Sequence, residues 1–220
     1  MKNQLRLLSI LLAVSIGNTA LASSVSASTK ALDVIKAAEV GDTAKLKKLL
    51  KDNKIDLNAQ DEEGMTPLMS AAIGGRSEAV KLLLSKKVDL EKKNKVGDTA
   101  LAVALTNDQY DIGDQLIKAG ANVDITVAGD EGDTLLIRVS GDNSKATQTI
   151  LKWNKALVNK SNKLGETALM RSVQNGLLEA TKLLLANGAD AKLKNKAGKT
   201  ALDIAKESNN EEAIKLLTKK

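Results

Sequence analysis

The sequence predicts an all-α solenoid of about six stacked helix–turn–helix units, joined by hairpin turns and closed by a capping unit at each end. Three observations carry this prediction. First, Gly64, Gly97, Gly132, Gly165 and Gly198 recur at steps of 33, 35, 33 and 33 residues, and each precedes a Thr two residues on: Thr66, Thr99, Thr134, Thr167 and Thr200. A fixed period of this size marks stacked supersecondary units rather than one globular core. Second, the units align position by position: Leu68 meets Leu169, Gly75 meets Gly176, and Leu82-Leu83-Leu84 meets Leu183-Leu184-Leu185. Third, the first and last units depart from the pattern, as the ends of a stack must to stay soluble.

Taken in order, the chain opens on Met1-Lys2-Asn3-Gln4-Leu5-Arg6, the apolar run LLSILLAVSI (7–16) and GNTALA (17–22). A basic start, a short apolar stretch and small residues at −3 and −1 read as a secretory signal peptide. Ala20 and Ala22 fit cleavage before Ser23, and Val25 and Ala27 fit a second option before Ser28. The run is shorter than the ~20 residues that span a bilayer. The expected organisation is a leader at 1–22 (or 1–27), a linker at 23–28 and a repeat domain at 29–220, with units near 29–60, 61–93, 94–126, 127–161, 162–194 and 195–220. The expected location is the periplasm, or outside the cell.

The first unit lacks the glycine turn, but its Ala37-Ala38 and Gly41 match Ala71-Ala72 and Gly75. In the second unit Thr66 can N-cap a helix, and Pro67, the one proline, fits the first helical position. Leu68, Ala71 and Ala72 follow at helical spacing, and a second helix after Gly75 is expected to bury Ala79, Leu82 and Leu83. The third unit repeats this with TALA (99–102). The fourth departs most: two extra residues fall in the stretch 126–134, its first helix carries Arg138 and Ser140, and Lys152 aligns with Leu84 and Leu185. With two apolar positions missing, this unit is expected to open first. The fifth is regular, and the sixth stops after IKLLTKK without a following hairpin.

The stretches TPLM (66–69), TALA (99–102), TLLI (134–137), TALM (167–170) and TALD (200–203), with GAN (120–122) and GAD (188–190), resemble the ankyrin repeat family across residues 29–220. That resemblance implies a hairpin turn and two antiparallel helices per unit. It also implies that partners are bound on the concave side formed by the tips and first helices. The family's His at the fourth motif position is replaced here by Met69, Ala102, Ile137, Met170 and Asp203. Stability is therefore expected to rest on Leu and Ala packing rather than on an imidazole network.

Composition narrows the chemistry. The chain has no His and no Cys, so a Ser-His-Asp or Cys-His pair cannot be built. Neither can a zinc site with His or Cys ligands, a disulfide or a thiolate. The acidic tips at Asp61-Glu62-Glu63 and at Asp130, Glu131 and Asp133 lack the alternating spacing of a calcium loop. No catalytic residue, metal or cofactor is expected. Without Lys2 and Arg6, 31 basic side chains face 27 acidic ones, a mild +4. With one Trp, one Tyr and no Phe, little is left to stack on bases, which argues against nucleic acid.

These readings converge on a monomeric, non-enzymatic protein-binding module that inhibits, shelters or scaffolds another protein. The alternatives are an envelope protein touching anionic lipid or cell-wall polymer, and a secreted effector that binds a host protein. By the resemblance, the candidate contacts at the tips are Glu62, Glu63 and Met65; Lys95, Val96 and Asp98; Asp130, Glu131 and Asp133; Lys163, Leu164 and Glu166; Lys196 and Lys199. Past the first helices come Ile73, Asn107, Asp142 and Asn175. Trp153 joins them because Trp is over-represented at binding hot spots. The tips alternate acidic, basic, acidic and basic, an electrostatic banding that favours a protein partner with complementary bands.

Overall fold

The computed structural model describes residues 29–218 apart from Ala128 and Asp130. The leader, both cleavage sites and the linker at 23–28 lie outside the described residues.

The described chain is a succession of helix pairs: α1 (residues 29–40) with α2 (Thr43–Leu49), α3 (Pro67–Ile73) with α4 (Ser77–Leu84), α5 (Ala100–Thr106) with α6 (Tyr110–Lys118), α7 (Leu135–Ser140) with α8 (Ser144–Trp153), α9 (Ala168–Gln174) with α10 (Leu178–Ala186), and α11 (Ala201–Glu207) with α12 (Glu211–Thr218). A 3-10 turn, Lys155–Asn159, follows α8. Among the described residues there is no β-strand, only isolated bridges at Thr126–Thr134 and Ser161–Thr167 beneath two of the tips. None of the described helices is long and apolar enough to cross a membrane.

The pairs stack into rows. First helices pack on first helices, α3 on α5, α5 on α7, α7 on α9 and α9 on α11. Second helices do the same from α2 through α12. From α3 on, each first helix starts where the repeating Thr turns its hydroxyl onto the third helical N–H: Thr66, Thr99, Thr134, Thr167 and Thr200 accept from Met69, Ala102, Ile137, Met170 and Asp203 at 3.2–3.3 Å. This satisfies one of the N–H groups left open at every helix start. Pro67 occupies the first turn of α3, where its missing N–H costs nothing.

The core runs unbroken through the stack. Ala71, Ala72, Ala102 and Ala104 are fully buried, and their small side chains let neighbouring first helices approach closely. Met69, Ala102, Ile137 and Met170 are all buried, so apolar packing occupies the positions where the family carries His. In the last unit Asp203 accepts from Thr200 N at 2.9 Å and completes a capping box. The second helix of unit two buries Ala79 and Leu83 as expected, but its third buried residue is Val80, while Leu82 is only partly covered.

Unit four differs from the expectation in an instructive way. Elsewhere the residue eleven past the turn glycine is left-handed, as at Gly75 (φ 68), Asp108 (φ 61), Gly176 (φ 71) and Asn209 (φ 54). Asn143, at the same place, has φ −151 and directly N-caps α8, accepting from Lys145 N and Ala146 N. α7 is one residue shorter than α3, α5, α9 and α11, so α8 is advanced by one position while three residues still join the paired helices. Leu151, not Lys152, takes the place of Leu84 and Leu185, and it is buried. The apolar position thought to be lost to Lys152 is intact. Ser140 is fully buried, but its hydroxyl accepts from Thr147 Oγ1 at 3.2 Å, so it leaves no bare polar atom in the core. Unit five contains a similar buried pair, Ser172 with Thr181 at 3.0 Å. The two extra residues sit in the tip: Val127 N bonds Asp133 O, a span of six residues, whereas Asp61 N bonds Met65 O across four.

Candidate functional site

The tips are built by a residue that sequence reasoning passed over. Three positions before each regular turn glycine stands Asp61, Asn94, Asn162 or Asn195, whose side-chain oxygen accepts two backbone N–H groups of its own tip. Asp61 Oδ1 takes Glu63 N and Met65 N at 2.9 and 2.8 Å. Asn94 Oδ1 takes Val96 N and Asp98 N at 3.1 and 2.9 Å. Asn162 and Asn195 repeat the arrangement. These bonds close a tight turn. Asp61 therefore spends its carboxylate inside the tip and is not part of the exposed acidic patch. The signal, an Asx at a fixed offset, was in the sequence. Unit four carries Gly129 at that offset, so its tip lacks this staple.

Neighbouring tips are bonded to one another. Lys95 N donates to Glu63 O at 3.1 Å, Lys163 N to Glu131 O at 2.9 Å and Lys196 N to Leu164 O at 2.8 Å. The repeating glycine makes this possible. A Cβ on Gly64 would meet Lys95 N at 2.8 Å, and its φ of 75 is one that other residues resist. The tips of units two and three, and those of units four, five and six, are thus tied to one another beside the first-helix starts.

On that row the candidates divide. Glu62, Glu63, Lys95, Lys163 and Lys196 are exposed, and Val96 and Leu164 are 60% and 41% exposed at the same position, one residue before their turn glycines. Ile73, at the end of α3, is 44% exposed. Met65 is partly covered, with its sulfur accepting from Asn94 Nδ2 at 3.6 Å. Lys199 is bonded to Glu207 at 2.7 Å. Asn107 and Asn175 donate to Val103 O and Gly141 O, both at 2.8 Å, so their amides are engaged within the stack. Asp142 is exposed beside a small cavity that it lines with Asp108 and Asn143 between the ends of α5 and α7. Asp130 lies outside the described residues.

Three acidic candidates are not free surface. Asp98 is buried, and burial pushes its carboxyl above the ordinary range although Arg138 and Lys93 pull it back; its Oδ1 has no hydrogen-bond partner among the described residues. Asp133 and Glu166 converge with Glu131 on Arg171, a residue that the sequence did not single out. Arg171 Nη1 lies 3.2 Å from Asp133 Oδ2, and Nη2 lies 3.2 Å from Glu131 Oε2 and 2.9 Å from Glu166 Oε2. Burial alone would favour the neutral arginine, but Asp133, Glu166 and Glu131 overcome it and hold the guanidinium above its usual range. Trp153 lies off the tip row, at the end of the second helix α8. There its Nε1 donates to Asp114 Oδ1 at 2.6 Å beside the Lys152–Asp114 ion pair.

The arrangement offers a row of rigid tips with exposed charge and two exposed apolar side chains. Of the six large apolar residues exposed in the described chain, Val96 and Leu164 sit on the tips, Ile73 and Val40 at first-helix ends. Among the described residues no group of three or more Asp and Glu side chains is placed to hold a metal ion.

Comparison with known proteins fits this geometry. A family model described as ankyrin repeats in three copies matches residues 34–127 and 135–220. Among solved structures, the chain is similar to the immunity-protein chain in the complex of the predatory endopeptidase Bd0816 from Bdellovibrio bacteriovorus with the immunity protein Bd3460. The two are 59% identical, with 85% of this chain and 97% of that chain covered and a TM-score of 0.75. None of the curated proteins searched matches.

Proposed function

The chain belongs to the ankyrin-repeat family, and from that premise we propose that it is an exported, non-catalytic immunity-type protein that binds an endopeptidase and holds it inactive. The observation that carries this reading is the similarity to an immunity protein seen in complex with an endopeptidase, at 59% identity over nearly all of that protein. The concentration of exposed apolar side chains on the tips and first-helix ends supports the same face as the contact. Rigid, mutually bonded tips lose little freedom on docking, so a surface of modest size can bind well. The leader read at 1–22 supports delivery to the periplasm.

The experiment is complex formation. The chain from Ser23 to Lys220 is mixed with endopeptidase Bd0816 and resolved by size-exclusion chromatography with light scattering. The reading expects a stoichiometric complex. Two separate peaks at micromolar concentrations of both proteins would overturn it.

A further inference from the structure

Resting on that reading, we propose that the endopeptidase is held on the first-helix ends of units one to four, with an apolar side chain seated over Val40 and Ile73 and a lysine or arginine side chain entering the cavity between the ends of α5 and α7.

The tips offer no continuous apolar surface. Val96 and Leu164 stand two units apart, with exposed Lys95 and Lys163 beside them. The first-helix ends do offer one. Val40 closes α1 and Ile73 closes α3, in consecutive units, and they are 65% and 44% exposed. The residues next to them touch. Arg76 Nε donates to Glu39 O at 3.0 Å, and a Cβ on Gly74 would lie 2.8 Å from the same oxygen. The two aliphatic side chains therefore project from turns that are bonded together. Within four residues of either in sequence, the charged side chains are Lys36, Glu39, Asp42 and Arg76, two of each sign. This end of the surface has no net charge to repel an apolar group. Its aliphatic area is uncovered in the chain's own fold, and its burial is available to a second protein.

One unit on, the same row of helix ends changes character. Thr106, exposed, takes the place of Ile73 in unit three and forms one wall of a cavity of about 230 Å³ between the ends of α5 and α7. Leu105 and Val139 are its buried apolar walls, and Asp108, Asp142 and Asn143 are its polar ones. Asp108 stands in the left-handed position (φ 61) that Gly75 and Gly176 hold in units two and five, a conformation that is costly for a residue with a Cβ. Its carboxylate is fixed there, with Oδ1 accepting from Tyr110 Oη and from Asn143 Nδ2. Asp142 is exposed and in no ion pair among the described residues. Among the described residues no basic side chain lines the cavity. Lys145, near the start of α8, instead lies over the Tyr110 ring, 5.9 Å from its centroid. An opening with apolar walls and two carboxylates matches the aliphatic stem and charged head of a lysine or arginine.

The test is binding of Bd0816, by surface plasmon resonance at low and high salt. Val40→Ser with Ile73→Ser removes the aliphatic area without adding charge. It is expected to weaken binding by about tenfold or more, because a few buried anchors dominate interface energy. Val96→Ser with Leu164→Ser is expected to weaken it by less. Asp142→Lys is expected to weaken binding several-fold at low salt, the difference shrinking as salt is raised. Helical circular dichroism checks that each variant is folded. Suppose the unsubstituted protein binds, but the Val40/Ile73 pair binds undiminished or loses less than the Val96/Leu164 pair, or Asp142→Lys binds as tightly as the unsubstituted protein. The assigned surface is then wrong while the immunity reading stands. If the unsubstituted protein does not bind at all, both fall.

Discussion

Arg171 in the fifth unit closes on Asp133 in the fourth, Nη1 to Oδ2 at 3.2 Å, and ties the two units together beside the Asn162 Nδ2 to Asp133 Oδ1 bond at 2.7 Å and the backbone bond of Lys163 N to Glu131 O. The pair explains how the irregular fourth tip, two residues longer than its neighbours and without the Asx staple, keeps its place in the row. The guanidinium replaces the missing turn bond with a contact from the next unit.

Removing that contact is the first prediction. Arg171→Ala leaves Glu131, Asp133 and Glu166 close together with no counter-charge. We expect a loss of about 1–2 kcal/mol in urea denaturation, below the cost of breaking a fully buried pair because the group is still partly solvated. Arg171→Lys should recover only part of it, since an ammonium cannot reproduce the fork.

The helix caps give a second. Thr99→Ala deletes the hydroxyl that receives Ala102 N and should cost about 1 kcal/mol, while Thr99→Ser should cost little. Thermal unfolding of the two variants measures the difference directly.

The turn glycines give a third, and it is comparative. Gly64 and Gly198 have nearly the same φ, 75 and 76. A Cβ at Gly64 would strike the backbone of Asn94 and Lys95, whereas one at Gly198 would meet nothing within 4 Å. Gly198→Ala should therefore pay only the left-handed strain, about 1 kcal/mol. Gly64→Ala should cost clearly more in the same denaturation assay, because two tips must separate.

Much of this architecture was legible before any coordinates. The Gly-to-Thr offset encodes a local event, a turn followed by a cap, and local events repeat with the period. Pro67 and the buried alanines were readable for the same reason. The advanced start of α8 does not show in an ungapped alignment of the units, which sets Lys152 against Leu84 and Leu185. The clue was Asn143 standing where Gly75 and Gly176 stand, which signals a cap instead of a left-handed residue. The Arg171 cluster was hidden for a different reason. It joins residues 38 and 40 positions apart through long side chains, and a row of tip charges on paper does not show which of them face inward. Asp98 looked like a tip charge by position but is covered by its neighbours.

Asp98 gives a fourth prediction, in pH. Its folded pKa is raised above the ordinary 3.8, chiefly by burial. The folded state then binds a proton that the unfolded state releases, so Asp98 favours folding below the ordinary carboxyl pKa and that contribution is lost as pH rises through the raised value. Asp98→Asn cannot titrate. The stability of the unsubstituted protein relative to this variant should fall as pH rises from the ordinary carboxyl range toward neutrality. Paired urea denaturations across that range check the sign, and a relative stability that rises with pH would refute it.

The measurement that bears most directly on the central claim is a titration of Bd0816 endopeptidase activity with increasing amounts of the chain from Ser23. The account predicts that activity falls in proportion to added protein and is abolished near equimolar amounts. Full activity at a large excess of the unsubstituted protein would contradict it.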